Sequence, residues 1–153
     1  MKINYSDQPV RNAEKSVFLA GPTPRRKDVQ SWRPNACRYL QELGFDGIVY
    51  VPELSSGEAL FSYDNQITWE WEALEKASII VFWIPRDLTI MPAFTTNVEF
   101  GYYVRDSRMV YGRPDSAEMN RYLDRLYRRH HSESVIYNDL HELCNHVVKI
   151  LST

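Results

Sequence analysis

The stretch "SIIVFWIP", residues 78–85, is apolar at odd and even positions alike. A strand with one face in water alternates polar and apolar side chains, so this one is expected to be covered on both faces. That requirement points to a parallel sheet with helices above and below it. Other segments repeat the theme: "SVFLAG" (16–21), "GIVYVP" (47–52) and "RMVYG" (108–112) read as strands, and "SVIYN" (134–138) reads as a fifth. Helical patterns fall between them. Trp32, Ala36, Cys37, Leu40 and Leu43 share one face of a helix that Gly44 ends. A loop over about 53–64 leads to a helix containing "NQITWEWEALEKA", and "NVEFGYYVRD" reads as a short helix after a long loop. Asp115 and Glu118 in "DSAE" fit a capping box opening the helix "AEMNRYLDRLYRR". Leu140, Leu143, Cys144, Val147, Val148 and Leu151 mark the last helix at i, i+3, i+4, i+7 spacing. Five βα units predict a doubly wound, flavodoxin-like or Rossmann-like sheet of about five parallel strands. With 153 residues, one domain is expected, residues 1–15 forming an N-terminal extension.

In such folds ligands sit beyond the carboxyl ends of the strands, which selects candidate site residues by position. The first strand ends in "AGPTPR": Gly21 permits close backbone approach, Pro22 stiffens the turn and Arg25 offers a cation. The same residues also describe an ordinary strand-ending turn. "FWIPR" brings Trp83 and Arg86 to the same edge, Trp83 being equally a core residue. Glu99, the lone acid of "TTNVEFGYY", falls at about the first turn of a helix, where free N–H groups and the helix dipole favour an ionised carboxylate. An ionised carboxylate suits a nucleophile; a helix-start charge with no chemistry is the alternative. With Ile67 at zero and about 100° per residue, Trp71 and Leu74 define a buried face and Glu70 lies at about 300°, on its border. Glu72, at about 140°, points to solvent. Burial of Glu70 would raise its pKa and suit it to proton donation.

Composition removes several function classes. A net charge of −2 leaves no electrostatic footprint for a nucleic-acid polymer, and the basic runs "PRRK" and "YRRHH" read as solvated surface. The longest apolar run, "IIVFWI", is strand length, so no membrane span is expected, and the first fifteen residues lack the apolar core of a signal peptide. Cys37 and Cys144 form no CxxC and read as free thiols, which makes the cytoplasm the default location. His141 and His146 diverge on their helix and His130 and His131 sit in a basic turn, so no metal site is expected. Neither GxGxxG nor a Walker sequence is present. Aromatic residues make up 13% of the chain, enough to consider base stacking.

The motifs "VFLAGPTPR", "SWRPNA", "GFDGIVYVPE", "WEWEALEKASIIVFWIPR", "TTNVEFGYYV" and "GRPDSA" together resemble the nucleoside 2-deoxyribosyltransferase-like proteins, over roughly residues 16–130 in the family order. The resemblance implies a flavodoxin-like sheet and cleavage of the N-glycosidic bond of a nucleoside or nucleotide, without cofactor. It assigns the nucleophile to Glu99, in "TTNVEFG", and an inward acid to Glu70, where the family usually carries Asp. Another Asp of the better-studied transferases is replaced here by Ala93 or Phe94. Asn97 becomes a candidate to hold the sugar or the nucleophile. Trp69, Trp71, Trp83, Tyr102 and Tyr103 become candidates for stacking, packing being the other role open to each. Arg25 and Arg86 would suit a 5′-phosphate. A homo-oligomer is implied, because neighbouring subunits often complete such sites. A nicotinamide bond of NAD-like molecules is a related target, and a non-catalytic nucleotide-binding module is the rival from another class.

Overall fold

A computed structural model describes residues 1–55 and 62–153, so residues 56–61, half of the loop expected over 53–64, lie outside the described residues. Five strands, β1 (Lys2–Tyr5), β2 (Ser16–Ala20), β3 (Ile48–Val51), β4 (Ile79–Trp83) and β5 (Met109–Gly112), form one sheet in the order β1-β3-β2-β4-β5. Every pairing is parallel. Among the described residues five helices accompany them: α1 (Arg33–Glu42), α2 (Tyr63–Lys76), α3 (Phe94–Tyr103), α4 (Arg121–His130) and α5 (Leu140–Leu151).

Alternation along the strands splits the core in two. Phe18, Ala20, Tyr50, Ile80 and Phe82 face α2, α3 and α4, while Val17, Leu19, Val49, Val81 and Trp83 face α1 and α5. Both faces are therefore dry, as the apolar run of β4 requires. The chain winds outward in both directions from the adjacent pair β2 and β4. Their carboxyl ends form the topological switch point, where open α/β sheets bind ligands.

Three local expectations are corrected. "SVIYN" is not a strand: only Tyr137 bridges to the sheet, its N–H donating to Tyr111 O and its carbonyl accepting from Arg113 N–H. Asp139 then caps α5 immediately, with its carboxylate accepting from Glu142 N–H, which leaves no room for a ladder. The fifth strand is β1, inside the segment expected as an N-terminal extension. Its polar Asn4 hid it from the pattern, yet Asn4 is buried because the returning chain satisfies its amide: Arg11 N–H donates to Oδ1 and Nδ2 donates to Pro9 O. The "DSAE" capping box does not form either. α4 begins at Arg121, and the Glu118 carboxylate accepts instead from Leu88 N–H, joining the loop after β5 to the loop after β4.

Candidate active site

At the switch point lies a cavity of about 210 Å³. One wall is the exit of β2, where Gly21, Pro22, Thr23 and Arg25 turn toward α1. Gly21 has φ +150°, and a Cβ there would sit 2.1 Å from Trp83 O, so β2 and β4 approach closely only because the side chain is absent. The opposite wall is built by α2 and α3, from which Glu70 and Glu99 both line the cavity. Ala93, in the left-handed region at φ 62°, starts α3 without a side-chain cap. It occupies the cavity wall, with Phe94 exposed beside it at the mouth.

Glu70 points inward more directly than a border residue would. The buried side of α2 carries Trp69, Ala73 and Leu74, and Glu70 falls among them on the helix circumference, not at their edge. Gln66 Nε2 donates to its carboxylate at 2.9 Å. Burial raises its pKa, outweighing that hydrogen bond and the more distant charge of Arg33, both of which lower it. Glu99 is the sixth residue of α3, beyond the first turn in which the helix dipole acts. The expected dipole-stabilised charge is therefore replaced by another balance. Burial pushes its pKa up to about 7, the charge of Glu70 adds to the rise, and Arg33 opposes it. Burial, more than the neighbouring carboxylate, thus makes Glu99 easier to protonate than an ordinary glutamate.

Arg33 is the site residue that the motif reading did not single out. It is 1% exposed, and its guanidinium lines the cavity. Its signal was present in the sequence: position 33 shares a helix face with Ala36, Cys37 and Leu40 at i, i+3, i+4, i+7 spacing, so a cation stands on an apolar stripe.

The remaining candidates divide. Arg25 stands at the cavity, its guanidinium 5.6 Å from the centroid of the Phe94 ring. Arg86 and Asn97 do not line this cavity; the buried Arg86 donates to Asn97 Oδ1 and, at 3.2 Å, to Met119 O, so they tie the loop after β4 to α3. Trp71, expected on the buried face, is 63% exposed and sits with Val98, Tyr102 and Tyr103 in a surface hollow that also touches Glu99. The inward phase of α2 is shifted from the one built on Ile67, which turns Trp71 out. Trp69 and Trp83 are core residues, the indole of Trp69 donating to Gln8 O at 2.8 Å. Among the described residues no helix is long and apolar enough to cross a membrane.

No curated protein matches the chain at a significant level. The sequence does match a family described as "Nucleoside 2-deoxyribosyltransferase like" over residues 14–117, a span running from β2 through the two acidic helices to the loop after β5. With the greater part of its length and all of its cavity-lining residues inside that match, the chain belongs to the nucleoside 2-deoxyribosyltransferase-like family.

Proposed function

We propose that this protein cleaves the N-glycosidic bond of a nucleoside or nucleotide, with Glu99 as nucleophile and Glu70 as acid/base or orienting group. The observation that carries the reading is the pair of acids in one switch-point cavity, both with raised pKa and both facing one buried cation. A Glu99 carboxylate oxygen attacks the anomeric carbon, the C–N bond breaks, and the bond electrons leave with the base. The ester between Glu99 and the sugar is then opened by a second base or by water, the two-step logic of retaining glycosidases. Glu70, lining the same cavity, can relay a proton from solvent to the departing base nitrogen. Family membership supports a substrate of the nucleoside class. Arg25 at the cavity suits a 5′-phosphate; Arg86, engaged by Asn97 and Met119, no longer adds to that case.

A non-catalytic nucleotide-binding module is the second reading, favoured by Ala93 standing near a transferase acid. One assay separates them. The protein is incubated with deoxyribo- and ribonucleosides, their monophosphates and NAD, each with and without an acceptor base, and released base is followed by chromatography. Release in water identifies a hydrolase and release only with acceptor identifies a transferase. Saturable binding with no turnover across the panel leaves the module reading in place of ours.

Self-association is part of the same proposal. Tyr63, Ile67 and Trp71 on α2, and Phe94, Val98 and Tyr102 on α3, form two apolar stripes at i, i+4, i+8 spacing. All but Ile67 are exposed, and the stripes flank the acids. So large an apolar patch on one face suits a subunit contact that would also cover the cavity mouth. Light scattering on the wild type is expected to give a dimer or higher assembly, and Val98→Asp combined with Tyr102→Asp should weaken it on the order of 100-fold or more. A wild-type monomer at micromolar concentration would remove this element of the proposal.

A further inference from the structure

Arg33 is held on every side by oxygen. Nε donates to Leu19 O at 3.0 Å, one terminal nitrogen to Thr23 Oγ1 at 2.9 Å and Glu53 Oε1 at 2.7 Å, and the other to Gly21 O at 2.6 Å. Its guanidinium also lies 4.9 Å from the centroid of the Trp32 ring. These contacts place it in the wall across from the two acids and make the turn after β2 a fixed surface. None of these bonds goes to Glu70 or Glu99, so its effect on them is exerted through space.

We propose that Arg33 is a positioning residue, the buried cation that allows Glu70 and Glu99 to occupy one cavity and that holds the Gly21–Thr23 turn against the substrate space. The inference rests on the reading of Glu99 as nucleophile, but it concerns how that group is kept competent. Two carboxylates in a shared, partly dry cavity repel, and each would hold its proton well above the usual range without a compensating charge. Arg33 draws both downward against burial. The other groups around the pair are Tyr63 and Glu75 on α2, Tyr102 and Tyr103 on α3, Arg25 at the end of the β2 turn, and Glu53 after β3. Arg25 is exposed and screened by solvent, and Glu53 partly neutralises Arg33 through their ion pair. Arg33 is thus the one buried cation lining the cavity among the described residues.

The test is a titration that needs no substrate. Protein labelled with carbon-13 at the glutamate side-chain carboxyl is followed by NMR across pH, with Glu99→Gln assigning the Glu99 signal. The wild-type midpoint is expected at about 7. Arg33→Met is expected to move it up by about one pH unit or more, whereas Arg33→Lys, which keeps the charge and loses the fork, should leave it near the wild-type value. Glu53→Gln keeps Arg33 in place but removes its neutralising partner, so it should move the Glu99 midpoint down. A folded Arg33→Met protein with an unmoved midpoint overturns the proposal. Should Arg33→Met not fold, an unmoved midpoint in Glu53→Gln overturns it instead. Absence of turnover on any nucleoside would defeat the proposed reaction while leaving these titrations to decide Arg33. Where turnover exists, the acidic limb of kcat/KM should shift with the same sign in each variant.

Discussion

Glu99→Gln is expected to reduce base release by at least about 10³-fold, because the amide keeps the shape of the carboxylate and removes its nucleophilic oxygen. The same variant should fold, and at alkaline pH it should be more stable than the wild type. The folded state holds Glu99 at about 7 against an ordinary value of 4.5, so it binds the proton more tightly than the unfolded chain. The stability associated with that proton is fully present below about 4.5, declines as pH rises, and is lost once pH passes about 7. Above that range the fold carries a poorly solvated charge, at a cost of about 3 kcal/mol, which Gln does not impose. Thermal unfolding of the two proteins at pH 5 and pH 8 checks the sign: the curves should lie closer at pH 5, with the variant ahead at pH 8. A variant that loses turnover and gains alkaline stability is the signature of an acid kept for chemistry. Turnover at the wild-type rate in Glu99→Gln would end the nucleophile assignment. In wild-type kcat/KM, activity should fall as pH drops through about 7, where the nucleophile takes up its proton.

The second large effect concerns stability. Gly21→Ala is expected to cost more than about 3 kcal/mol or to prevent folding, because the added methyl meets main-chain atoms that have nowhere to go. Its Cβ would lie 2.1 Å from Trp83 O and 2.8 Å from Trp32 Cζ2, and the residue has φ +150°. Relief requires β2 and β4 to part or the turn to rotate, and either movement takes Gly21 O away from Arg33. Gly101→Ala is the matched comparison. Nothing lies within 4 Å of a Cβ built at Gly101, which is exposed in α3, so the substitution should be neutral or stabilising by up to about 1 kcal/mol. Urea unfolding of the two variants separates a glycine required by close approach from one that is only tolerated. A Gly21→Ala protein with wild-type stability would show that the turn relaxes freely, and the fixed wall described for Arg33 would lose its basis.

Both effects trace to the same junction of strands, and much of it can be read from one dimension. The apolar run at β4, the short strands before it and the α1 and α5 stripes are local patterns that dictate a doubly wound sheet. The switch-point rule brings Gly21, Arg25 and Glu99 to one edge, helical counting adds Glu70, and all four line a single cavity. Trp71 shows the limit of counting on one helix: Ile67 sets a phase that buries it, whereas the buried side of α2 is set by what Trp69, Ala73 and Leu74 meet on the sheet. The edge strand shows another. "KINY" carries a lysine and a buried asparagine, and only the backbone returning over Asn4 makes such a segment a strand.

The sequence by itself determined the architecture and the sheet edge at which Glu70 and Glu99 line one cavity, because side-chain periodicity is a local property of the backbone. Tertiary structure alone decided that β1 and not "SVIYN" completes the sheet, that Arg86 and Asn97 serve each other, and that Glu99 titrates near neutrality. Those outcomes depend on burial and on charges from α1, α2 and α3 meeting in space, and an electrostatic balance among groups so far apart in the chain leaves no period to read.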